Sequence, residues 1–128
     1  MATLSSTSAQ VYLPFGVIKF EKEIVDNSHS FDHTNGIFRA PVSGAYYFSF
    51  SSTTYGSYSY IGVYVKGNRA DGYYFRDYND SDQDRQHTFE FTIDLKTGDE
   101  LSLYNYNENS IETGTVYSPV FFQGYLIN

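Results

Sequence analysis

Cysteine and tryptophan are both missing from this chain of 128 residues, and methionine occurs once. Without cysteine there is no disulfide framework, no thiol nucleophile and no thiolate-held zinc or iron–sulfur centre. No apolar run approaches the roughly 20 residues that a helix needs to cross a bilayer. Basic residues are scarce: eight Lys and Arg stand against fifteen Asp and Glu, for a formal charge of −7. An acidic surface repels phosphate backbones and anionic headgroups, which disfavours nucleic acid and membranes as partners. No stretch of ten or more residues carries a capped helical period. The opening MATLSS lacks the basic and apolar segments of a signal peptide, which leaves an intracellular protein or a mature domain.

What is abundant is aromatic. Fourteen Tyr and eleven Phe bring the aromatic share to 20%. A single domain of this length needs fewer rings for its core. The surplus is expected at an oligomer interface, a binding surface, or both, where Tyr combines a flat apolar face with a polar tip. The chain reads as all-β. In residues 17–25, VIKFEKEIV, one parity is mostly polar and the other, holding Ile18, Phe20 and Ile24, is mostly apolar. Residues 45–51, 60–66, 72–76, 87–95, 100–106 and 120–127 are further strand candidates. Turn formers such as Asn35-Gly36, Ser43-Gly44, Gly67-Asn68 and Gly98-Asp99 separate them. Many short strands at this spacing predict a sandwich, jelly roll or barrel. Residues 2–8 are mostly small and polar, so residues 1–8 are expected to form a flexible terminus and residues 9–128 one domain.

Residues 45–50 split into Tyr46, Phe48 and Phe50 on one face and Ala45, Tyr47 and Ser49 on the other. A strand apolar on both sides belongs between two sheets or at a subunit contact. Gly36 and Gly44 mark positions where a turn needs positive φ or close backbone approach. Pro41 separates two strands.

Together these segments resemble the globular-head domain of complement C1q, in the C1q/tumour-necrosis-factor superfamily. The residues that carry the likeness are Gly36, Phe38, Ala40, Pro41, Val42, Gly44, Tyr46, Tyr47 and Phe48, then Gly98-Asp99, and the closing Phe122, Gly124, Tyr125 and Leu126. The resemblance implies a ten-stranded jelly-roll β-sandwich that assembles as a homotrimer about an aromatic axis. It also implies a non-enzymatic recognition role in innate immunity, a lectin that binds carbohydrate on microbial or cell surfaces. The alternatives are a secreted ligand for a protein receptor and a structural or adhesive surface trimer. The resemblance is weakest over residues 53–85.

That weakest stretch holds the candidate ligand-binding residues. Tyr55, Tyr58, Tyr73, Tyr74 and Tyr78 lie in it with Arg69, Arg76 and Arg85, and Tyr60 sits among them. Tyr rings stack on sugar faces, and Arg pairs bidentately with a carboxylate, which suits sialic acid and other acidic sugars. Asp77, Asp80, Asp82 and Asp84 make a weak candidate calcium loop, since hard cations take oxygen ligands. The EF-hand spacing fails, because Arg85 and Phe91 stand where Gly and Glu are required. Solvated repulsion among the four carboxylates is the simpler reading, so no cofactor is expected and calcium stays open. His29 and His33 are four apart but off any helix, and His87 is remote in sequence. No Gly-x-Ser-x-Gly elbow or paired-carboxylate cleft is visible, so no enzyme is expected. Asn79-Asp80-Ser81 is an N-glycosylation sequon and points to a secreted, extracellular setting.

Overall fold

The computed structural model describes residues 2–6, 10–12, 16–20, 22–26, 30–32, 34–55, 58–78, 84–105, 111–113 and 120–127. In the strand positions 2–6, 10–12, 22–26, 52–55, 58–60, 76–78, 84–87, 111–113 and 120 it describes the backbone alone. The described residues form twelve strands and no helix: β1 (Ala2–Ser6), β2 (Gln10–Tyr12), β3 (Lys22–Asp26), β4 (Phe31–Asp32), β5 (Ile37–Arg39), β6 (Gly44–Tyr55), β7 (Tyr58–Val65), β8 (Asn68–Tyr78), β9 (Asp84–Leu95), β10 (Glu100–Asn105), β11 (Ile111–Thr113) and β12 (Val120–Leu126).

Two antiparallel sheets divide them. One has seven strands, in the order β2-β11-β6-β12-β1-β3 with β9 on the other edge of β6. The second has five, in the order β4-β5-β10-β7-β8. This is the jelly-roll sandwich expected, with twelve assigned strands in place of ten because several are only two or three residues long. Residues 2–6 depart from the expected flexible terminus. They lie between β3 and β12, with Leu4 opposite Phe122 and Ser5 opposite Lys22. Small polar residues can hold such a place because ladder hydrogen bonds use the main chain, not the side chain.

Alternation decides what fills the space between the sheets. β6 sends Tyr46, Phe48 and Phe50 inward, and β12 adds Phe122, all at most 1% exposed. Ile61 and Val63 of β7 and Leu101 and Leu103 of β10 meet them from the five-stranded sheet. Ile18 and Phe20 are buried while Val17 and Lys19 face out, as the parity of that segment predicts. The Phe48 ring lies 5.1 Å from Phe38, 5.4 Å from Phe91 and 5.6 Å from Phe122. Phe122 in turn lies 5.1 Å from Phe31 and 5.7 Å from Phe20. Gly124 pairs with Phe48, and a Cβ there would collide with the Phe48 ring.

The end turns lock to one another. Ala40 N–H donates to Asp99 O at 2.9 Å, and Gly98 N–H returns a bond to Ala40 O at 2.8 Å. The Tyr46 hydroxyl bends back to donate to Val42 O at 2.6 Å. Gly36 and Gly98 take left-handed φ of 71° and 86°. Gly44 does not: it opens β6 opposite Leu95, so its expected positive φ is corrected.

Phe122→Ala is expected to cost about 3–5 kcal/mol of folding stability through lost burial and the cavity left behind. Gly124→Ala should also destabilise, because the Phe48 ring must move. Urea denaturation checks both; an unchanged midpoint for Phe122→Ala would contradict a ring-centred core.

Candidate functional site

The outward face of the five-stranded sheet carries rings where a solvated sheet face would carry polar residues. In β10, Leu101 and Leu103 point inward, so Ser102 and Tyr104 point outward. In β7, Ile61 and Val63 point inward, so Gly62 and Tyr64 point outward. The register sets Ser102 opposite Tyr64 and Tyr104 opposite Gly62. Gly62 is the local cause of the ring stack on this face. A Cβ there would stand 2.5 Å from Cζ of Tyr104, so the missing side chain is what seats that ring flat on the sheet. Tyr64 then stacks on Tyr104 with centroids 3.9 Å apart and planes 10° apart.

β8 covers the pair from the side. The Arg69 guanidinium carbon lies 5.9 Å from the Tyr104 ring centroid, within cation–π range. Tyr74 sits opposite Gly62 and is 44% exposed. Tyr104 is left fully buried on an outward face. That burial, with Tyr74 close by, pushes its hydroxyl up to about 12, while Arg69 pulls the other way.

The structure therefore brings Arg69 and Tyr74 together, and both were expected at the site. By backbone register, Arg76 lies opposite Tyr60 and Tyr78 opposite Tyr58, continuing along the same two strands. Tyr73 is not part of this surface. Its ring meets Phe91 edge-on at 5.6 Å, and its hydroxyl donates to Thr92 O at 2.8 Å, so it closes the gap between β8 and β9. Tyr55 and Arg85 belong to the other sheet, at the paired positions Tyr55–Asp84 and Thr54–Arg85 of β6 and β9. Sequence reasoning missed Tyr64 and Tyr104. The signal was there: in each of β7 and β10 a Tyr occupies the parity opposite to Val, Ile or Leu.

Asp77 is in β8 and Asp84 in β9, which lie in different sheets, while Asp80 and Asp82 fall outside the described residues. Asn79 and Ser81 of the sequon, His29 and His33 also lie outside them, and His87 pairs with Ser52 by backbone register. Among the described residues no three His, Asp or Glu side chains converge as a metal site would require.

Beside Tyr64 the face falls into a groove of about 540 Å³ whose lining includes Val17, Ile37, Lys66, Glu100 and Ser102. Lys66 is held by Asp99, Nζ to Oδ1 3.1 Å. Asp99 also accepts from Lys96 N–H at 2.9 Å, and these bonds, that of Lys96 foremost, hold its carboxyl below the usual range.

A two-sheet antiparallel sandwich with this strand order defines the class. The C1q domain family model matches residues 2–127, and the chain belongs to that family. Its structure is similar to the globular domain of a zebrafish complement 1qA protein, at TM-score 0.80 and 17% identity, covering 99% of this chain and 96% of that one. It is similar to an Eiger tumour necrosis factor from S. frugiperda at TM-score 0.70 and 11% identity, covering 94% and 89%. Murine APRIL at pH 5.0 follows at TM-score 0.64 and 12% identity, covering 94% and 96%. No curated protein matches the sequence. At these identities the structural likeness speaks for the fold.

Tyr104 carries a pH signature. Its raised value means that the folded state holds its proton more tightly than the unfolded chain does. Its stabilising contribution is complete below about pH 10 and lost as pH rises through about 12. Melting temperature should fall between those values, and less steeply in Tyr104→Phe than in the parent. Identical slopes would mean that Tyr104 titrates like an exposed phenol.

Proposed function

We propose that the chain is a non-enzymatic, secreted C1q-like recognition protein that acts as a homotrimer and binds surface carbohydrate, acidic sugars such as sialic acid included, in innate immunity. The observation that carries this reading is the Arg69–Tyr74 surface laid over the stacked Tyr64 and Tyr104. It joins an aromatic platform for the apolar face of a sugar to a guanidinium for its carboxylate. The net charge of −7 makes that Arg the more telling, because it offers an acidic ligand local attraction on a repelling surface. A single shallow site binds sugar weakly, and three linked sites raise avidity without new contacts.

The outward face of the seven-stranded sheet supports the trimer. Tyr47 and Tyr125 are register partners with ring centroids 5.1 Å apart, and Tyr125 and Ile127 are 41% and 52% exposed. Desolvation, and next the Glu90 carboxylate, push the Tyr47 hydroxyl up. A subunit contact there would place its rings at the centre of the assembly and leave the Arg69–Tyr74 surface outside it.

The test is a glycan array with protein of confirmed solution mass, run with and without EDTA. The expected result is a mass of three chains of 14.6 kDa and selective binding to sialylated glycans. Arg69→Ala and Tyr74→Ala should each weaken binding about tenfold, the scale of one lost charge-assisted contact, and leave the mass unchanged. Tyr125→Asp should give a smaller mass. Loss of binding in EDTA would promote the Asp77–Asp84 region to a metal site. A blank array from an intact trimer would favour a protein-receptor ligand, the second reading, to which the likeness to APRIL and Eiger lends support.

A further inference from the structure

The groove beside Tyr64 differs in chemistry from the Arg69–Tyr74 surface. The apolar part of its lining is Val17, 39% exposed, half-buried Ile37 and Tyr64. Ser102, 8% exposed, contributes a hydroxyl-bearing residue opposite Tyr64. Both charges on its rim are already matched inside the protein. Lys66 pairs with Asp99 at 3.1 Å, and Glu100 pairs with Arg39 at 3.4 Å.

An anion entering the groove would meet Glu100, and a cation would meet Lys66. An uncharged ring meets neither penalty. It can still use the remaining Lys66 protons, the second Glu100 oxygen and the Ser102 hydroxyl, because each of these groups has more than one hydrogen-bonding site. The groove, at about 540 Å³, falls in the range of small-molecule sites. Its wall is also preorganised. Tyr64 is stacked on Tyr104, and Tyr104 rests on Gly62, so the ring loses little freedom when a ligand arrives.

We propose that this groove is a binding subsite for an uncharged hexopyranose ring, with an apolar ring face against Tyr64, Val17 and Ile37 and its hydroxyls toward Lys66, Glu100 and Ser102. The proposal rests on the carbohydrate reading of the same sheet face. It gives that face two neighbouring subsites, one for a neutral sugar and one for an acidic sugar.

The test is an amide chemical-shift titration of the full isotope-labelled chain. The probes are the methyl glycosides of glucose, galactose and mannose and, separately, N-acetylneuraminic acid. At least one neutral glycoside should move the amides of Tyr64, Lys66, Gly67 and Ser102 in a saturable way below about 100 mM, the weak range expected of one shallow site. Raising salt from about 0.05 to 0.5 M should change that affinity less than twofold, because no net charge is screened. Val17→Trp, at an exposed position, fills the groove and should abolish the shifts while the rest of the spectrum persists. Gly62→Ala, which displaces Tyr104 and unsettles Tyr64, should weaken binding about tenfold while Val17 and Ile37 stay in place.

If no neutral glycoside moves the groove amides, or if Val17→Trp binds as the parent does, the subsite is refuted. Shifts from N-acetylneuraminic acid at Arg69 and Tyr74, with no neutral glycoside moving the groove amides, would refute the subsite and leave the carbohydrate reading standing. Silence from every sugar would sink both.

Discussion

Contact between the Phe48 and Phe122 rings, across a strand pair that Gly124 leaves open, is what the rest of the structure depends on. Around those two rings the sheets find their spacing. Phe91 comes from β9, Phe38 from β5 and Phe31 from β4, and Phe20 arrives from the segment before β3. Aromatic edge and face contacts of this kind add directional preference to burial, so the rings help specify the relative placement of the sheets as well as stabilise it. A one-residue slip of β6 would send Tyr46, Phe48 and Phe50 outward together, which makes the register costly to change.

The same device, a glycine that admits a ring, appears on the outside. Gly62 does for Tyr104 what Gly124 does for Phe48. Inside, the outcome is a core. Outside, it is a fixed aromatic platform with an arginine above it and a charge-balanced groove beside it. The stack cannot relax into the sheet, because Ile61, Val63, Leu101 and Leu103 fill the space beneath. Rigidity at this face is therefore borrowed from the core through β7 and β10.

Each sheet thus presents a distinct outward character. The seven-stranded sheet shows the Tyr47–Tyr125 pair and an apolar strand end at Ile127. The five-stranded sheet shows Tyr64, Arg69 and Tyr74 with the groove. In the proposed trimer, self-association and ligand recognition would use opposite faces of one sandwich, and three copies would present three sites outward, the arrangement in which weak contacts gain most from linkage.

By itself the sequence determined the class of fold and the core. Alternation at Tyr46, Phe48 and Phe50 named an inward face, and Pro41, Gly36 and the Gly98-Asp99 turn marked strand ends that the structure retains. These features are local, since strand period and turn geometry are set by residues within a few positions of each other. Only the tertiary structure decided the rest. Tyr73 and Tyr74 are neighbours with opposite directions, and the irregular register between Gly62 and Tyr64 makes Tyr73 the inward one. Residues 2–6 became a strand because β3 and β12 offered two open ladders, not because their side chains favour one. Tyr64 and Tyr104 stand forty residues apart and form one surface only because β7 and β10 pair, an outcome fixed by main-chain hydrogen bonds that no local pattern encodes.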